Sequence, residues 1–352
     1  MERARSSRPD LEIVCLRQQR TPKGPEFLRQ PSLFPSLTPQ GSGLTESASA
    51  NTQRTCTANV QDLRSLATHS SGTANAEPPV RSPAEVLLPT LVAVYSPKGG
   101  TGKTVVAVNL ACYLARHLPQ KVALADFDLS FGDAAVHLDL LSQPTIADAI
   151  HGFEADKVDI EEFLHVHEST SLRFLASPAK PELAEFVRPE HAQRALARLR
   201  SQFPVVVVDL PSDTAADHVL DTLETATHVV LVSTPDAASV RRCRLFLDVL
   251  ARLESIDRSK VILLVNRQDH SIGLATSRVA SFLGTTVVVD IPEARNKVEQ
   301  SILDGRPLGA STQDNAFMGG VRQLAQLLSP AFAFLPPVRG RTPFARRRTY
   351  GN

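Results

Sequence analysis

The sequence predicts a doubly wound α/β domain, a mostly parallel sheet with helices on both faces, and three observations predict it. First, apolar, largely β-branched runs stand at Leu91–Tyr95, Val122–Ala125, Val205–Val208, His228–Val232, Val261–Val265 and Thr286–Val289. Most are apolar on consecutive positions rather than alternating, the pattern of strands buried on both faces. Second, amphipathic stretches lie between these runs, and strand alternating with helix over roughly 240 residues builds parallel βαβ units. Third, a glycine-rich turn follows the first run and opens a helix over Val105–Arg116. That is where an α/β sheet meets its ligand.

The helical stretches justify themselves by period. Val240, Cys243, Leu247 and Leu250 form an i, i+3, i+7, i+10 stripe, with Arg241, Arg242 and Arg244 off it. Those arginines read equally as the wet face of a helix or as an anion-binding patch. Outside residues 91–330 the texture changes. Residues 1–90 hold ten of the 25 prolines and a Ser/Thr-rich stretch with sparse apolar residues. Such a segment cannot bury enough apolar surface to offset its ordering entropy and is expected to be mostly disordered. Residues 331–352 form a tail with five arginines (Arg339, Arg341, Arg346, Arg347, Arg348) and no acid. It reads as a contact for DNA phosphates, as a contact for an anionic membrane surface, or as a solvated tail with no fixed partner.

Composition excludes several classes. Lys+Arg 38 against Asp+Glu 37 gives a formal net charge of +1, so no global basic field points to nucleic acid. No apolar run approaches the ~18 residues of a membrane span. The first residues, Met1 to Arg8, lead into no continuous apolar stretch, so a secretory signal is not expected. Cys15, Cys56, Cys112 and Cys243 are far apart, without the Cys-x-x-Cys spacing of a metal site or the density of a disulfide scaffold. A cytoplasmic protein is the expectation, with recruitment to the inner face of the plasma membrane as the extension of it.

The chemistry concentrates in Ser96-Pro97-Lys98-Gly99-Gly100-Thr101-Gly102-Lys103-Thr104, followed by Val105. Glycines let successive backbone N–H groups turn inward around phosphate oxygens, and the helix N-terminus adds partial positive charge. Lys103 would contact the β- and γ-phosphates of ATP, and the Thr104 hydroxyl would coordinate Mg²⁺. Asp126 and Asp128 end the second strand at i and i+2, the spacing that aims both side chains at the crevice. Asp209 closes the four-valine run, and Mg²⁺ through a bridging water would supply its counter-charge. Asn266 and Arg267 end a further strand. The Asn266 amide pairs a donor with an acceptor, which suits an adenine edge as well as it suits a turn residue capping the strand.

The loop departs from the strict G-x-x-x-x-G-K-[ST] pattern at Pro97 and carries the extra Lys98. This K-G-G-x-G-K-T form resembles the deviant Walker A motif of the ParA/MinD superfamily of P-loop ATPases. The resemblance implies that Lys98 reaches across a face-to-face homodimer, formed on ATP binding, to the partner's nucleotide. It implies further that Asp128 positions the attacking water and that Asp126 supports the Mg²⁺ shell and the switch loop. Many relatives carry a second hydroxyl where Val105 stands, so one α-phosphate contact would be weaker here. Within the superfamily, several stretches look most like the CpaE/TadZ pilus-assembly group. They are Asp126–Asp133, Leu172–Glu182, Val208–Pro211, Ser233–Asp236 and the Ile291-Pro…Gly305-Arg-Pro-Leu308 pair. That likeness implies a localisation factor for a Flp/Tad pilus or related secretion machine, with pilus, secretion or polar-localisation proteins as partners. That group commonly carries a receiver-like domain before the ATPase, and residues 1–90 do not look like one. A ParA-like DNA partition ATPase and a MinD-like cell-division regulator remain the alternatives.

Overall fold

The computed structural model describes residues 88–335, except 141–143, 214–215, 254–255, 270, 272 and 286–287. The expectations for residues 1–87 and for the arginines of the tail lie outside these. Eight strands form one sheet: β1 (Thr90–Tyr95), β2 (Val122–Asp126), β3 (His165–His167), β4 (Leu172–Leu175), β5 (Val205–Asp209), β6 (His228–Ser233), β7 (Val261–Gln268) and β8 (Val288–Pro292). The helices are α1 (Lys103–His117), α2 (Ala134–Leu138), α3 (Ile150–Glu154), α4 (Pro181–Ala184) and α5 (Pro189–Gln202). They continue with α6 (Asp217–Thr225), α7 (Ala237–Leu253), α8 (Thr276–Leu283), α9 (Arg295–Leu303) and α10 (Ala316–Leu328).

The strand order is β3-β4-β2-β5-β1-β6-β7-β8. Every pairing is parallel except β3 with β4, which is antiparallel at one edge. The consecutive apolar runs are consecutive because each residue serves a different face. Leu91, Ala93 and Tyr95 enter one core layer with Leu199 of α5, Val219 and Leu223 of α6, and the α7 stripe Val240, Cys243, Leu247 and Leu250. Val92 and Val94 enter the opposite layer with α1 and with Phe317, Val321 and Leu324 of α10. Arg241, Arg242 and Arg244 lie exposed on the far side of α7, as the period requires.

Two expectations need correction. The last strand is described over Val288–Pro292 and so extends past the expected end at Val289, while residues 286–287 lie outside the described residues. As an edge strand it alternates, with Val289 and Ile291 buried and the residues around them half-buried, so a search for consecutive apolar residues stops short of its end. The core also extends past residue 330: Phe332 is 2% exposed and packs against the layer containing α1 and α10.

Helix α1 is buried along the whole of Val106–Ala115 because a second layer covers it. The turn Leu308–Ala310 seals one side. Gly309 donates its N–H to Asn109 Oδ1 at 2.8 Å, and a Cβ there would lie 2.1 Å from the Asn109 carbonyl oxygen. Gly309→Ala is therefore expected to force the turn off α1 and destabilise the fold by about 1–3 kcal/mol, the usual cost of overpacking. A lowered urea midpoint at unchanged slope would report it.

Candidate nucleotide and metal site

The P-loop follows β1 at the carboxyl edge of the sheet, between the segments that leave β5 and β6. Gly100 and Gly102 adopt φ of 73° and 88°, the left-handed region that glycine enters without a Cβ penalty. A Cβ on Gly102 would also lie 2.5 Å from Asn266 Nδ2. Gly102 caps α1 without a side-chain hydrogen bond, and the first turn of α1 carries no acid. The amides of that turn and the positive end of the helix are therefore set for an anion, as the sequence predicts.

Within this single chain both loop lysines are engaged. Lys103 Nζ donates to Ser212 Oγ at 2.8 Å. Lys98 Nζ, instead of extending away from its own chain, pairs with the Asp236 carboxylate at 2.9 and 3.0 Å. Asp236 is held in turn by the Thr234 hydroxyl at 2.6 Å and the Ser239 N–H at 2.9 Å. Partial burial would raise the Asp236 pKa, but these donors and Lys98 outweigh it and hold the carboxyl below its ordinary range.

Asp126 and Asp209 are register partners at the ends of neighbouring strands, and each is at most 1% exposed. Burial pushes both pKa values up. Asp126 is raised well above the usual carboxylate range, by burial first and then by the charge of Asp209. Asp209 is pushed up to about 7, with the Thr104 hydroxyl bond and the Lys103 charge opposing burial. Asp209 Oδ1 is a buried acceptor without a hydrogen-bond partner. A buried acceptor beside the Thr104 hydroxyl, below an amide-lined loop, fits a hard cation with oxygen ligands such as Mg²⁺.

The geometry assigns Asp126 elsewhere. One of its oxygens accepts the Asp128 N–H at 3.1 Å, and the other accepts the Ala134 N–H at 3.1 Å and the Ser177 hydroxyl at 3.4 Å. Direct metal ligation would compete with these bonds, so Asp126 anchors the loop that follows β2, and Thr104 and Asp209 are the fitting metal candidates. Asp128 stands at i+2 from Asp126 but off the strand, close enough for its charge to act on both Asp126 and Asp209. Strand β2 ends at Asp126, and an Asx-type turn carries Asp128 out of the buried row. Asp128 is half-buried, and its Oδ1 accepts the Phe131 N–H at 3.2 Å.

Asn266 is 4% exposed and donates to the Thr101 carbonyl at 2.8 Å. One amide hydrogen is thus committed to clamping the P-loop. Arg267, exposed and at φ 58°, lines a cleft of about 180 Å³ together with Gly102, Val105, Pro292 and Phe317. Pro97, Gly99 and Thr101 complete the loop, and Arg242 donates to the Pro97 carbonyl at 3.3 Å. Sequence reading misses Ser212, Asp236 and Ser177 as parts of the site. The partners of Lys103 and Lys98 are 109 and 138 residues away, so only the folded topology joins them.

A family model described as ParA, NUBPL iron-transfer P-loop NTPase, matches residues 88–256, which span the loop, Asp126, Asp128 and Asp209. The septum site-determining protein MinD of Thermotoga maritima is 24% identical over 218 residues, 60% of this chain and 78% of that protein. The solved structure of a ParA family ATPase from Chlorobium tepidum superposes with a TM-score of 0.61 at 22% identity, over 67% of this chain and 97% of that one. The chain has the fold of the ParA/MinD P-loop NTPases. A further ParA/MinD structure, MinD of Pyrococcus horikoshii complexed with Mg-ADP, superposes with a TM-score of 0.59 at 17% identity, over 69% and 98% of the two chains. The ParA/MinD fold thus accounts for the eight-stranded sheet and for the place of the loop in it.

The raised Asp209 pKa would make the binding of a cation at this carboxylate pH-dependent. A cation needs the carboxylate ionised, so below pH 7 binding displaces a proton, whereas above it the group is already charged. Calorimetry of Mg²⁺–nucleotide binding in two buffers of different ionisation heat is expected to show proton release at pH 6 and little at pH 8, lost in Asp209→Asn. Without metal the sign reverses for the fold. A buried acid raised from 3.8 to about 7 stabilises the fold while protonated, and this contribution is lost as pH rises from about 4 through 7.

Proposed function

We propose that this chain is a slow, Mg²⁺-dependent ATPase that dimerises on binding ATP and so positions a cellular machine. ParA/MinD proteins are ATPases that position cellular machinery, and the observation that carries the reading to this chain is the unpartnered Asp209 Oδ1 beside Thr104 under the P-loop. When bound, Mg²⁺ would neutralise charge developing between the phosphates. The chain's own residues supply the rest: loop amides and Lys103 hold the phosphates, and Asp128 orients the attacking water. Lys98 must leave Asp236 to reach a partner's nucleotide, which makes assembly a condition of turnover.

The machine is most consistent with a Flp/Tad pilus or related secretion apparatus, on the CpaE/TadZ-like stretches quoted above. A MinD-like regulator of the division site is the second reading, favoured by the Thermotoga relative's name. Iron transfer, in the family description, is not supported by Cys112 and Cys243, which are both buried with thiols pushed up by burial to about 12 and 11. The site of action proposed is the cytoplasmic face of the plasma membrane, with the arginine tail contacting anionic lipid; binding to DNA instead would favour a partition role. Phosphate release tests the enzymatic reading. Turnover per chain should require Mg²⁺ and rise with protein concentration. Turnover that ignores concentration would remove dimer activation, and none at any concentration would remove the ATPase.

A further inference from the structure

We propose that His218 is a positioning residue, whose Nε2–H holds the Phe127 carbonyl and so fixes the loop bearing Asp126 and Asp128 against the segment bearing Asp209 and Ser212. The inference rests on the ATPase reading above and adds to it a side chain that reading does not use. Phe127 is the single residue between the two acids. Its ring is fully buried, in the same core layer as Val219 of α6. Its N–H donates to the Asp209 carbonyl at 2.9 Å, and its own carbonyl lies 3.2 Å from His218 Nε2. A carbonyl has no proton to give, so Nε2 carries it and the tautomer is set by the contact. The Phe127 peptide is thereby gripped on both sides by the stretch 209–218, from β5 on one side and from α6 on the other.

That stretch also receives Lys103 through Ser212. One short piece of chain therefore touches the metal carboxylate, the phosphate-binding lysine and the peptide next to Asp128. Helix α6 is held in place by the buried Val219, Thr222 and Leu223, so the imidazole is delivered from a packed element. Burial keeps the ring below its ordinary pKa, against the Phe127 hydrogen bond and the nearby charges of Asp128, Asp221 and Asp213. The neutral ring still donates from Nε2. Beyond Phe127 the loop relies on local bonds, from the Asp128 N–H to Asp126 and from the Phe131 N–H to Asp128. Among the described residues, removing the His218 bond leaves the Asp128 side of this turn to those two bonds and to the Ala134 N–H on Asp126, whereas the P-loop amides are untouched.

The test combines amide hydrogen exchange with kinetics on the full chain in Mg-ADP and Mg-ATP, for wild type, His218→Ala, His218→Asn and His218→Gln. Glutamine places an amide N–H close to where Nε2 sits, and asparagine places one near Nδ1, too short to reach. The expected result is exchange at the Asp128 and Phe131 amides about tenfold faster in the Ala and Asn variants, the loss of one net hydrogen bond. Turnover should fall by a similar factor with nucleotide Kd within about twofold, and Gln should stay close to wild type in both. Unchanged exchange in Ala and Asn, or a Gln variant as defective as Ala, would overturn the proposal. If wild type hydrolyses no ATP, the ATPase reading falls while the exchange arm still decides whether His218 holds this loop.

Discussion

Asp128→Ala is expected to lower ATP turnover by about 10²–10⁴-fold, the range for removing a group that orients and deprotonates a nucleophile, while nucleotide affinity changes little. The separation follows from where Asp128 stands. It lies outside the P-loop, on the turn beyond β2, half-buried and tied to Phe131 N–H, so its loss removes no phosphate contact. Its backbone N–H still donates to Asp126 in the variant, which keeps the turn closed. The outcome to look for is a protein that binds ATP and fails to release phosphate, accumulating in its ATP-bound assembly. Equilibrium binding of a fluorescent ATP analogue beside a phosphate-release assay measures both halves. Unchanged turnover would mean that Asp128 is idle and would leave a nucleotide-binding scaffold.

Lys103→Ala should fail at the earlier step. In the proposed reading the P-loop supplies backbone amides and Lys103 would be its cation at the β- and γ-phosphates, and charge-neutralising contacts of this kind are worth several kcal/mol in a dehydrated site. ATP affinity is expected to drop by more than about tenfold and turnover to become undetectable. Arginine should not rescue it, because the planar guanidinium cannot replace a compact ammonium inside a tight loop. Stability should barely move. In the free chain the bond from Lys103 to Ser212 is a single hydrogen bond from a half-buried side chain, worth about 1 kcal/mol. The midpoint of thermal unfolding without nucleotide would therefore fall by no more than about 2–4 °C, while the nucleotide-induced rise in Tm would disappear. A retained rise would show that phosphate binding does not run through Lys103.

Most of what positions this site is written locally in the chain. Parallel strands covered on both sides force consecutive apolar residues, which is why Leu91–Tyr95 and Val205–Val208 announce themselves. The P-loop is legible because its glycines must stand at fixed offsets from Lys103. Asp209 is legible because a charge directly after four buried valines requires a reason. What escapes the sequence is of two kinds. Short or one-sided elements carry too few residues to show a period, as with the three-residue β3 and the alternating β8. Long-range polar pairs carry no local signal at all: nothing around Asp236 marks it as the partner of Lys98. His218 is a lone histidine on a short helix until β2 is laid beside it. The Asp126 turn lies between these cases, since an Asp-x-Asp at a strand end allows both two parallel side chains and a side chain folded back on its own backbone.

The Lys98–Asp236 pair gives the central claim its physical form, because the single chain holds in cis the lysine that a dimer would use in trans. Light scattering behind size exclusion tests it directly, on wild type, Lys98→Ala and Asp128→Ala, each with Mg-ADP and with Mg-ATP. The expected result is monomer with ADP for all three, a dimer with ATP for wild type, a more persistent dimer for Asp128→Ala, and none for Lys98→Ala. A monomer under every condition would contradict the account. So would a dimer that forms equally well without Lys98.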